Sequence, residues 1–169
     1  VGSYGLWTHH FATELELAER HLRAGDRVTW VTCDRAFRAC DTNQSHDELA
    51  CQRCEWKILA GLRLLSGEVE RQAMSTLLAD EDRARVDALP RGFTSLAELK
   101  AFTFDGLDAG WGALSSAIWS ARDAKIDPGS ALIDRFLAAG VTSYLATKRL
   151  VEGGGIDRVY AFNGRMAPM

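Results

Sequence analysis

Gly25-Asp26-Arg27-Val28-Thr29-Trp30-Val31-Thr32-Cys33 is the stretch on which the fold turns. From Arg27 to Cys33 it is rich in β-branched and aromatic residues, and Gly25 separates it from what precedes, so it reads as a strand behind a tight turn. Working upstream, Phe11, Leu15, Ala18 and Leu22 recur at the spacing of one helix face. Thr8 reads as the cap of that helix. Glu14 and Glu16 near its start and Arg20 and Arg23 near its end suit the helix dipole. Val1-Gly2-Ser3-Tyr4-Gly5 reads as the end of a strand and the loop after it. The order is strand end, loop, helix, turn, strand, which is most of a βαβ unit.

Downstream, residues 34–46 are polar and irregular. A helix is expected from Asp47, with Cys51, Cys54, Ile58, Leu62 and Leu65 on one face and Gly67 as its end. Residues 68–89 read as charged helix with a break near Asp80. Asp80-Glu81-Asp82-Arg83-Ala84-Arg85 looks like a solvated face. Pro90-Arg91-Gly92 is a turn, and Ser95 with Glu98 three residues later is a capping box. Further helices are expected over residues 108–123 and from Asp127-Pro128 to about Glu152, ended by Gly153-Gly154-Gly155. Residues 156–162 read as a strand. Strands alternating with helices point to an α/β domain with a Rossmann-like parallel sheet, carrying a helix-rich insertion over about residues 47–125. The chain as a whole, residues 1–169, reads as an incomplete domain of a longer protein.

Composition narrows the class. Hydrophobic residues make up 47% and charged residues 25%, a globular balance rather than a disordered one. The net charge of −3 gives no chain-wide basic footprint for nucleic acid. No apolar run reaches the roughly 18 residues of a membrane span, and no signal peptide is visible, so the cytoplasm is the expected compartment.

In open α/β sheets ligands bind beyond the carboxyl ends of the strands, which singles out residues 2–10, 33–46 and 163–168. The first loop carries Gly2, Gly5, His9 and His10. Its glycines admit a ligand to the backbone, but it lacks the G-x-G-x-x-G dinucleotide fingerprint. A tight turn with two exposed histidines is the plain alternative. Asn163, Gly164 and Arg165 follow the last expected strand, where an amide and a guanidinium suit sugar hydroxyls and phosphate. Ser115 and Ser116 lie in a Gly- and Ala-rich segment without a nucleophile elbow, and small residues packing helices closely explain them as well as a ligand does. Arg122 suits a carboxylate or phosphate, or simply solvent. Among the five tryptophans a sugar-stacking platform competes with core and interface roles.

All the cysteines fall within residues 33–54, as Cys33, Cys40, Cys51 and Cys54 in a C-x6-C-x10-C-x2-C pattern. Four readings compete, one of them that Cys33 is only a strand-end core residue, leaving three ligands. The four can form a thiolate site for zinc or an iron–sulfur cluster, although six residues between the first pair make no standard knuckle. They can be ordinary buried thiols. Cys51 and Cys54, opening a helix, can be a redox dithiol with a lowered thiol pKa.

Gly2-x-x-Gly5 with His9-His10, Cys40-Asp41-Thr42-Asn43 before Cys51-x-x-Cys54, Gly112-Ala113-Leu114-Ser115-Ser116 with Arg122, and Phe162-Asn163-Gly164-Arg165 follow one another along the chain. In that order they resemble the amino-terminal half of bacterial surface or capsular polysaccharide biosynthesis proteins of the glycosyltransferase type, which are similar to two-domain GT-B enzymes. The resemblance implies a first domain facing a glycan acceptor and a further, carboxyl-terminal domain of the same chain holding the nucleotide sugar. Peripheral membrane association is compatible with it. It places Gly5, His9, His10, Asn163 and Arg165 along the cleft between the two. His9 or His10 is then the candidate base for the acceptor hydroxyl, since imidazole titrates near neutrality; positioning alone is the rival account. The cysteines are no general feature of GT-B enzymes. They leave two other functions open: a non-catalytic metal- or cluster-binding α/β protein, and a thiol oxidoreductase using Cys51 and Cys54.

Overall fold

The computed structural model describes residues 5–161. Helix α1 (Thr8–Arg23) leads to strand β1 (Thr29–Thr32), helix α2 (Glu48–Leu62) and strand β2 (Glu70–Ala73). Helices α3 (Met74–Leu77), α4 (Asp80–Asp87), α5 (Leu96–Ala101), α6 (Ala109–Ala121) and α7 (Ala131–Glu152) follow. The chain is α/β, with β1 and β2 paired in parallel in the register Thr29–Glu70 to Thr32–Ala73.

The strand expected at Arg27 to Cys33 is there, trimmed to its centre. Trp30 and Val31 are both buried, and alternation sends them to opposite faces. Trp30 packs with Phe11, Ala18 and Ile58 of α1 and α2. Val31 packs with Phe37, Met74 and the small residues Ala139 and Ala146 of α7. Helices thus cover both faces of the sheet, as a parallel pair requires. Helix α7 also closes the main core, where Ile133, Phe136, Leu137 and Val141 meet Leu99, Ala113, Leu114 and Ala117. Helix α6 docks closely because Gly110 lies against α5: a β-carbon there would stand 1.7 Å from the Leu99 carbonyl oxygen.

Local signals are realised with shifts. Gly25 sits at φ +84° and ends α1, the Asp26 N–H reaching back to the His21 carbonyl at 3.0 Å. Asp47 caps α2 by accepting from the Ala50 N–H at 2.8 Å. Ser95 accepts from the Glu98 N–H at 3.1 Å, while the Glu98 carboxylate turns to the Thr94 N–H and hydroxyl. Thr8 is the first helical residue rather than the cap, which is Trp7.

Four expectations need correction. Residues 68–89 are not one broken helix, because Glu70–Ala73 forms β2 inside the stretch expected to be helical. Its sequence, Glu-Arg-Gln-Ala, has no strand pattern; pairing with β1 imposes the conformation. Helix α2 stops at Leu62, short of Gly67. The last helix starts at Ala131, because Asp127 caps a turn instead, its carboxylate accepting from the Gly129 N–H at 2.9 Å. Residues 156–161 belong to no strand among the described residues; Phe162 lies outside them. Among the described residues no helix is long and apolar enough to cross a membrane.

Candidate functional site

The carboxyl end of β1 opens directly into Cys33 and the loop of residues 33–46. That loop is braced rather than loose. Asp34 and Arg35 adopt left-handed backbone, at φ +38° and +68°. The Asp34 carboxylate accepts from the Ser75 N–H at 3.0 Å. The Arg35 guanidinium spans to Glu48 and Glu55 of α2, 3.2 Å from each. Asn43 is buried and holds the far end: its amide oxygen accepts from the Asp47 N–H at 2.8 Å, and its amide nitrogen donates to the Asp47 carbonyl at 2.7 Å. Gln44 donates to the Ser120 carbonyl at the end of α6, at 2.7 Å.

All four cysteines are free thiols. The Cys40 sulfur lies 3.1 Å from the Thr42 hydroxyl, and Cys51 accepts from the Asn43 side-chain amide at 3.2 Å. Among the described residues no group of three histidine, cysteine or acidic side chains is placed to hold a metal ion. Burial pushes the Cys33 thiol up to about 12 and the Cys40 thiol up to about 11. It raises Cys54 as well, the opposite of what the redox-dithiol reading expects of a helix-opening pair.

Gly5 is buried, and it needs to be glycine: a β-carbon would stand 2.6 Å from the Cys54 carbonyl oxygen. The loop that leads into α1 therefore rests on the cysteine-bearing helix. At the start of α1, His9 is exposed and His10 half-buried. The Trp7 ring lies 5.5 Å from the His10 ring and 6.2 Å, edge-on, from Trp119 of α6, which is 49% exposed. Lys57 donates to the Thr8 hydroxyl at 2.7 Å.

The remaining sequence candidates separate. Ser115 faces a cavity of about 1640 Å³, while its neighbour Ser116 is fully buried. Arg122 is exposed and terminates α6 in left-handed backbone at φ +53°. Gly2, Asn163, Gly164 and Arg165 lie outside the described residues. The cavity runs between Val28 and residues 29–31 of β1, the carboxyl half of α1, helices α6 and α7, and residues 155–161. His21 bridges its rim, its ring nitrogens 2.7 Å from Asp26 and 2.8 Å from the Tyr160 hydroxyl. Sequence reasoning singles out the loop of residues 33–46 without giving Arg35 or Asn43 an individual role, and counts Trp119 only as one of five tryptophans that could supply a stacking platform.

Compared with protein-family models, with curated proteins and with solved structures, the chain finds no match.

Proposed function

We propose that this chain is the acceptor-side domain of a glycosyltransferase that moves a sugar from a nucleotide donor to a surface or capsular glycan. The observation that carries this reading is the edge formed by Trp7, His10 and Trp119 at the carboxyl end of the parallel pair. Aromatic faces with a polar neighbour suit a sugar ring, which presents an apolar C–H face and polar hydroxyls. In the reaction, His9 or His10 takes the proton of the acceptor hydroxyl. The freed oxygen attacks the anomeric carbon, and the nucleotide leaves with the electron pair of the broken bond. The donor is held by the carboxyl-terminal domain that the reading requires.

The same reading gives the fold its finer form, a Rossmann-like sheet. Strand β1 is paired on one side only among the described residues, and its other edge borders the cavity. Residues 156–161 line the far wall of that cavity.

The test is glycosyl transfer by the full-length protein. Trp119→Ala is expected to raise the acceptor KM with kcat little changed. Replacing His9 and His10 together by glutamine is expected to lower kcat by about 10²–10⁴-fold. Normal turnover in the double variant removes the base; an unchanged acceptor KM in Trp119→Ala removes the platform.

A further inference from the structure

We propose that the outer face of α2 docks on a membrane surface rich in anionic lipid, with Leu49, Trp56 and Leu64 seated at headgroup level and Arg53 and Arg63 on lipid phosphates. The argument starts from exposure. Leu49 is 63% exposed, Trp56 72% and Leu64, just past the end of the helix, 83%. These are the three most exposed large apolar side chains among the described residues, and all three fall within residues 49–64. Scattered singly they would need no account; gathered on one element they mark a contact surface.

Helical spacing makes that surface continuous. Leu49, Arg53, Trp56, Ala60 and Arg63 follow at intervals of four, three, four and three, so they share one stripe. The opposite face carries Ile58 and Gly61, both buried, and rests on Phe11 of α1. That packing fixes the rotation of the helix and turns the stripe away from the molecule.

Charge selects the partner. The stripe holds two arginines and no acid. Glu48 and Glu55 lie on one flank, and the Arg35 guanidinium meets both at 3.2 Å. Among the described residues neither Arg53 nor Arg63 has a carboxylate at ion-pair distance. The chain as a whole carries a net charge of −3, so this stripe is a local reversal of sign and fits an anionic surface. Shape then selects a bilayer. The three apolar side chains stand out from the convex surface of a helix and its end. A folded partner would need a pocket for each, whereas lipid headgroups part around them. Indole settles at headgroup level, and the arginine stem lies along apolar neighbours while its guanidinium reaches phosphate. A helix of 15 residues lying in the plane of the surface suffices, with no crossing of the membrane. This docking does not rest on the glycosyltransferase reading, and its test reads no activity.

The chain is floated with vesicles of phosphatidylcholine alone, and with vesicles that also hold about one quarter phosphatidylglycerol. Binding to the second kind only, lost in about 0.5 M salt, is the expected result. A blue shift of tryptophan fluorescence should accompany it. Trp56→Ala should abolish most of that shift and lower the partition coefficient at least about tenfold. Arg53→Gln and Arg63→Gln should each lower it about fivefold. Trp111→Ala, which removes a half-exposed ring from α6 instead, should leave it unchanged. Where a variant fails to fold, the lipid and salt dependence of the wild-type chain still decides. No binding to the anionic vesicles at low salt, binding indifferent to lipid charge, or binding that survives the Trp56 and both arginine substitutions together would overturn the proposal. So would self-association broken by Trp56→Ala in a chain that ignores vesicles, since the stripe would then be a contact between copies.

Discussion

The two halves of the molecule are built on different terms. The carboxyl-terminal half, α4 to α7, is closed mainly by apolar side chains: Ile133, Phe136, Leu137 and Val141 are buried, and Leu99, Ala113 and Ala117 face them. The amino-terminal half rests on two small clusters, one on each face of a two-stranded sheet, and one edge of β1 borders a large cavity. Its loop of residues 33–46 is tied by Asn43 and Arg35 and anchored by two buried side chains, Ala39 in the main core and Phe37 in the smaller cluster. With smaller apolar clusters beneath them, the segments of this half lean more on polar ties.

The largest expected effect falls in the closed half. Phe136→Ala should cost about 3–5 kcal/mol, because the ring is wholly buried and its space cannot refill. Urea unfolding measures it, and a loss under about 1 kcal/mol would show that this core is looser than its burial implies.

Next comes the tie between α4 and α7. Asp82 is buried, accepts from the Ala79 N–H at 2.9 Å, and is paired with Arg149, which also meets Glu81. Asp82→Asn should cost about 2–3 kcal/mol, less than a fully buried pair because Arg149 is partly exposed. The hydrogen bond from Arg149 holds the Asp82 carboxyl below its ordinary value. A depressed carboxyl stabilises the fold above its unfolded pKa of about 3.9 and loses that contribution as pH falls through the folded value. Acid unfolding of the wild type should therefore steepen below about pH 4, and the variant should lack that part of the slope.

A smaller effect separates the halves. A β-carbon at Gly61 would stand 2.4 Å from the Phe11 ring, so Gly61→Ala forces that ring aside at a cost of about 1–3 kcal/mol. Hydrogen exchange should quicken in α1 and α2 while α7 keeps its protection. Equal loss in α7 would mean that the two halves unfold as one unit.

In the unaltered protein, the amides of residues 29–32 that point away from β2 should exchange much faster than those of residues 136–146. The smallest effect is expected at the proposed platform. Trp119→Ala should cost about 0.5–1.5 kcal/mol, since the ring is half exposed and loses its edge-on contact with Trp7.

The sequence by itself determined the local features. The Gly25 stop, the Asp47 cap, the Ser95 signal and the seven-residue β-rich run each depend on a side chain acting within one turn of itself, so each could be read from neighbours in the chain. It also fixed the C-x6-C-x10-C-x2-C pattern that draws attention to the loop. Only the tertiary structure decided the rest. Glu70–Ala73 is a strand because β1 supplies its hydrogen bonds, not because of its own residues. Gly5 meets Cys54, and Trp7 meets Trp119, because the segment before α1, helix α2 and the end of α6 converge. Such contacts depend on burial and packing between distant segments, and no local propensity records them.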